Sequence, residues 1–87
     1  MNNVDHLIDD TGRLKPGYFL KLRDIEVSPS KGRRGLVPYS RATIYRMMSE
    51  GRFPRPIKLS TQSAAWLSED IQAVRDGIMR QGVRHDG

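Results

Sequence analysis

Residues 40–66 read SRATIYRMMSEGRFPRPIKLSTQSAAW, and the fold is decided by this stretch. Ser40 is of the type that caps a helix start, because its hydroxyl can accept a bond from a free backbone N–H one turn on. Gly51 suits the left-handed position that follows a helix end. Between them Ile44, Met47 and Met48 recur at i, i+3 and i+4, so residues 41–50 form a helix with one apolar face. The opposite face carries Ala42, Arg46, Ser49 and Glu50, with Thr43 on one flank and Arg41 and Tyr45 on the other. Phe53–Pro54–Arg55–Pro56 cannot continue the helix, since each proline lacks an N–H and restricts the residue before it. Ile57–Lys58–Leu59 and Ala64–Ala65–Trp66–Leu67 are then two short apolar runs around a polar tip, Ser60–Thr61–Gln62–Ser63. That is the pattern of a small β-hairpin.

Working outward, Tyr18–Phe19–Leu20 suits a brief strand. Leu22 and Ile25, with Glu26–Val27 as an extension, suit a short first helix stopped by Pro29. Ser28–Pro38, read SPSKGRRGLVP, has the punctuation of a loop. Downstream, Ser68 is expected to cap a last helix whose first turn holds Glu69 and Asp70, favourable at the positive end of the helix dipole. Ile71, Val74 and Ile78 form its apolar stripe. The expected core is Ile44, Met47, Met48, Leu59, Trp66, Ile71, Val74 and Ile78, with Trp66 read as packing and not as a stacking platform. Residues 1–17 are expected to be a flexible arm, 18–80 the folded domain and 81–87 a flexible tail. The order is strand, helix, basic loop, amphipathic helix, hairpin, helix. It defines a mostly α fold with a small hairpin wing, a winged helix-turn-helix, in which one helix enters the major groove and the hairpin lies beside it.

The chain has 87 residues and a formal net charge of +5, which suffices for one small domain and favours a polyanionic partner. The charge is concentrated. Residues 18–58 hold ten positive and three negative side chains, a local net of +7, while residues 1–17 and 59–87 are each at −1. A basic block of this density is the footprint of a nucleic-acid binder. Cysteine is absent, which excludes a disulfide framework, a thiolate metal site and a cysteine nucleophile. His6 and His85 lie in the tails without a partner at metal-ligand spacing, and no Ser–His–Asp or paired-carboxylate arrangement is present. No enzyme activity, metal or cofactor is expected. Without an apolar run of membrane-spanning length or a signal-peptide layout, the chain is expected to be soluble, cytoplasmic and associated with the nucleoid.

Residues 40–74 resemble the AlpA family of prophage and mobile-element regulators. The shared features are Ser40, Arg41, Thr43-Ile44-Tyr45-Arg46, Gly51-Arg52-Phe53-Pro54-Arg55-Pro56, Lys58-Leu59 and Ala65-Trp66. The resemblance implies a winged helix-turn-helix related to the DNA-binding part of MerR-type regulators. It implies a transcription regulator, with an excisionase that bends DNA at an attachment site as the alternative. A protein-interaction adaptor without sequence-specific DNA binding ranks lower. The chain departs from the family pattern in its long loop Ser28–Val37, in Leu67 where relatives often carry Arg, and in Val74 where many carry Trp.

Arg46 is the leading base-reading candidate, because an arginine fork fits a guanine edge or a phosphate; the plainer alternative is an i, i+4 pair with Glu50. Arg41 is placed for a base or the backbone, and Ser40 and Thr43 offer first-turn hydroxyls and N–H groups to a phosphate. Ala42 is placed to meet a thymine methyl, and Tyr45 to reach a phosphate from the edge of the apolar face. Arg52, Arg55 and Lys58, with Thr61 and Gln62 at the wing tip, are expected on the backbone or minor groove. Lys31, Arg33 and Arg34 add a basic loop. The expected partners are double-stranded DNA and a second copy of the chain on repeated sites. RNA polymerase or a recombinase are further candidates.

Overall fold

The computed structural model describes residues 4–28, 32 and 35–83. After a 3-10 turn at Val4–Leu7 the elements are β1 (Phe19–Leu20), α1 (Leu22–Ile25), α2 (Arg41–Ser49), β2 (Ile57–Ser60), β3 (Ser63–Leu67) and α3 (Ser68–Val83). The expected hairpin is present, but it is two-thirds of a sheet. β1 pairs antiparallel with the far side of β3, giving the order β1-β3-β2 with Phe19 opposite Leu67 and Leu20 opposite Trp66. Leu20 and Trp66 share one face and enter the core with Ile25, Val37, Ile44, Met47, Phe53 and Ile71. Met48, Val74 and Ile78 pack against that cluster, half-buried. The result is a winged helix-turn-helix with, among the described residues, three α-helices and a three-stranded antiparallel sheet.

The sequence fixes both ends of α2 chemically. Ser40 is extended, with φ −74° and ψ 168°, and its Oγ accepts from the Thr43 N–H at 3.4 Å. At the other end the Gly51 N–H donates to the Met48 carbonyl and the Arg52 N–H to the Met47 carbonyl, at 3.1 and 2.8 Å. Together these two bonds make a Schellman motif, which needs a left-handed residue at Gly51, and its φ is +74°. Trp66 secures the turn that follows. Its indole N–H donates to the Pro54 carbonyl at 2.8 Å and its ring meets Phe53 edge-on, centroids 6.2 Å apart.

The first helix is shorter than the reading allowed. It ends at Ile25, and Glu26 is already extended, with ψ 152°, well before Pro29. What stops it is tertiary. The Val37 N–H donates to the Ile25 carbonyl at 3.1 Å and the Val27 N–H to the Tyr39 carbonyl at 2.9 Å, so the returning loop takes α1's backbone partners. Gly35 lies against the same segment. A Cβ there would overlap the Ile25 and Glu26 carbonyls.

Four further expectations need correction. Leu59, expected in the core, is 45% exposed, because β2 is an edge strand of the wing with every residue exposed, Ile57 at 41% included. Ser68 begins α3 with its hydroxyl turned to the N-terminal segment, accepting from the Tyr18 N–H at 3.1 Å and donating to the Lys15 carbonyl at 2.6 Å. The arm expected over residues 1–17 is packed over much of its described length. Leu7 and Leu14 are buried in the core, and Ile8 and Leu14 form a β-bridge. Gln72 accepts from the Leu14 N–H at 2.7 Å, Glu69 from the Gly17 N–H at 2.9 Å, and Asp76 holds the Arg13 guanidinium at 3.0 and 3.2 Å. At the other end, α3 runs through Gly82 to Val83, inside the segment expected to be a flexible tail.

Two glycines separate conformational from steric cost. Gly51→Ala meets open space and carries only the left-handed penalty, about 1–2 kcal/mol. Gly35→Ala drives a methyl into backbone and is expected to reach or exceed about 3 kcal/mol, the upper end for overpacking. Urea denaturation of the two variants should therefore rank Gly35→Ala as the more damaging.

A second expected outcome concerns pH. Arg13 and then Gln72 hold the Asp76 carboxyl below its ordinary value; the Gly17 N–H does so for Glu69, and Thr11 and the Arg13 N–H for Asp9. With folded values below unfolded ones, their contribution is complete above the unfolded range near pH ~4 and is lost as pH falls through the folded values. The melting temperature should drop below about pH 4, and Asp76→Asn should flatten that drop.

Candidate nucleic-acid interface

Burial of Ile44 and Met47 turns the opposite side of α2 to solvent, and Ala42, Tyr45, Arg46 and Ser49 are all exposed there. Tyr45 is 53% exposed, so its ring is more open than an edge-of-core position suggested. The expected alternative for Arg46, a pair with Glu50, does not form. Glu50 instead accepts from Arg52 at 2.8 Å. Among the described residues the cationic groups of Arg46, Arg55 and Lys58 have no hydrogen-bond or ion-pair partner. An exposed arginine in the middle of a helix face, flanked by a small residue and an aromatic one, keeps all five N–H groups for a ligand.

Arg41 is held differently. Its Nε–H donates to Glu26 Oε1 at 2.9 Å and its Nη2–H to Oε2 at 3.0 Å, a side-on bidentate pair between the end of α1 and the start of α2. Glu26 is buried, at 6%, whereas the Arg41 side chain remains 58% exposed. Hydrogen bonding to Glu26 first, and its charge second, hold the Arg41 guanidinium above its ordinary value. Sequence reading missed Glu26. An acid fifteen positions before its partner, across a loop, leaves no periodic trace in the chain.

Ser40 and Thr43 are mutually engaged. The Ser40 hydroxyl donates to Thr43 Oγ1 at 3.1 Å while accepting from the Thr43 N–H. On the wing, Arg52, Arg55, Lys58, Thr61 and Gln62 are exposed. Lys58 stands opposite Ala64, on the sheet face that also carries Trp66 and Leu20. The wing extends beyond the core there, so that face is open to solvent at Lys58 and Ala64. Lys21, which the reading did not single out, donates from Nζ to Ser63 Oγ at 3.0 Å and braces β3 near the wing tip. Lys31, Arg33 and Arg34 lie outside the described residues.

Taken together, the capped helix with an exposed cationic face, the proline-locked turn and the basic hairpin define a helix-turn-helix protein with a wing. The family model described as "Prophage CP4-57 regulatory protein (AlpA)" matches residues 32–73, so over α2, the wing and the start of α3 the chain is similar to the AlpA family of prophage regulatory proteins. No curated protein and no solved structure matches the chain. Among the described residues no helix is long and apolar enough to cross a membrane.

Proposed function

We propose that the protein is a sequence-specific double-stranded DNA-binding transcription regulator, with α2 as its recognition helix and residues 57–66 as its wing. The observation that carries this reading is the exposed face of α2, where among the described residues Arg46 stands unpaired beside Ala42, Tyr45 and Ser49 while the neighbouring acid is bound by Arg52. Placed in a major groove, Arg46 reads a guanine edge through two N–H groups and Ala42 meets a thymine methyl. Tyr45 and the Ser40–Thr43 turn contact phosphates, as do Arg52, Arg55, Lys58, Thr61 and Gln62 on the wing side. The loop cations Lys31, Arg33 and Arg34 add to the same electrostatic attraction.

A module of this size buries only about 600–1,000 Å² on DNA. High specificity then calls for several copies on repeated half-sites. An excisionase uses the same residues and differs in consequence, since adjacent copies would bend an attachment site. The location of bound sites, beside promoters or at the ends of an integrated element, separates the two roles. It also indicates whether RNA polymerase or a recombinase is the natural partner.

Binding to DNA recovered by selection from a random library, compared with scrambled DNA over a salt series, tests the reading. Arg46→Ala is expected to lower the affinity ratio between the two DNAs by about 1–3 kcal/mol in free-energy terms. Lys58→Ala should weaken both alike and reduce the salt slope by about one. A wild-type protein that binds both DNAs equally would show that it is not a sequence-specific regulator and would favour the adaptor role.

A further inference from the structure

We propose that Glu26 is a positioning residue for base readout: it fixes the Arg41 guanidinium by one edge so that the other edge is offered to a guanine. The inference rests on the DNA-binding reading above and names a determinant of specificity within it. Arginine has five N–H groups in a rigid plane. Glu26 takes the Nε–H and one Nη2–H, the side edge of that plane. The outer edge, with one N–H from each Nη, remains, and this is a fork that matches guanine O6 and N7. The guanidinium therefore serves two acceptors at once, one in the protein and one in the groove.

The placement of Glu26 makes the arrangement stiff. Its carboxylate is buried, and its backbone is clasped from both sides by the Val37 and Tyr39 bonds, with Gly35 packed directly on its carbonyl. An arginine anchored to such a point has few rotamers left, so it arrives at the groove already aimed. Arg41 is the first residue of α2, and the first turn of a recognition helix is the part that meets base edges. Its side chain stays more than half exposed while it is paired. Arg46, by contrast, stands unbraced on the middle of the same helix. The two arginines thus divide the task between a fixed reader and an adaptable one.

The test is base-preference profiling, by selection from randomised duplex DNA, of the full chain as wild type, Glu26→Gln and Arg41→Lys, with thermal melts in parallel. Glu26→Gln keeps the size of the side chain and one acceptor but releases the bidentate grip. It should weaken guanine preference roughly three- to ten-fold at one or two adjacent positions and leave the rest of the profile intact, a loss below the full value of a bidentate base contact. Affinity for scrambled DNA should stay level or rise, since a negative charge near the phosphates has been removed. Arg41→Lys keeps the charge and one bond to Glu26 but not the fork, and should lose preference at the same positions. Two results would overturn the proposal: a Glu26→Gln profile identical to wild type while only the melting temperature moves, or an equal weakening on every sequence. If Glu26→Gln does not fold, Glu26→Asp, which keeps the charge but shortens the reach to Arg41, is read by the same criteria. A wild type without any base preference would remove the DNA reading and this proposal together, whereas a selective wild type with unmoved variants removes only this one.

Discussion

The packing of residues 35–39 against Ile25–Val27 is the constraint on which the rest of the helix-turn-helix depends. A first helix of four residues cannot stand by itself, because nucleating one turn costs more than its few bonds return. It persists because the loop closes on it with two backbone bonds and because Gly35 has no side chain to hold the loop away. The same closure buries Val37, Leu36 and the Glu26 carboxylate, and the buried carboxylate then needs a cation. Arg41 supplies it from the start of α2. The angle between the two helices is therefore held by two backbone bonds, one steric contact and one ion pair, although fifteen positions separate them in the chain.

The wing depends on a different anchor. Trp66 fills the junction of α2, the proline turn and the sheet, and its bond to the Pro54 carbonyl ties the turn to the central strand. Proline at 54 and 56 removes two donors from a segment whose carbonyls remain, so the indole N–H satisfies an acceptor that no helix or ladder would reach. The edge strand β2 is short, bulged and carries Lys58, features that discourage strand-to-strand aggregation while leaving the hairpin free to reach a ligand.

Much of the local structure was legible in the sequence. Ser40 and Gly51 marked the ends of α2 because capping chemistry acts within four residues, and the hairpin showed in its paired apolar runs and polar tip. What escaped was long-range. Leu7 and Leu14 stand seven apart, a helical spacing interrupted by Gly12, and side chains of α3, namely Ser68, Glu69, Gln72, Arg75 and Asp76, give their segment a place to bind. Leu59 misled because an apolar residue in an alternating strand is normally buried, whereas every residue of the edge strand β2 is exposed. Within the candidate site, the unpaired state of Arg46 depended on a competition for Glu50 that spacing alone could not decide, and the Glu26–Arg41 pair required the fold.

The sheet order has a bearing on how the chain acquires its shape. β1, near the beginning, finds its partner only in β3, after both α1 and α2 and the whole wing have passed. A ribosome extruding this chain from its N-terminus thus releases Phe19–Leu20 as an unpaired strand, and the segment around Leu14 without the helix it binds, until residues of β3 and α3 emerge. The contacts that hold β1 and the Leu14 segment have high sequence separation, and such contacts are slow to close. α2 carries its own caps, but the core that fixes its pose includes Trp66 and Ile71 and is complete only once they have emerged.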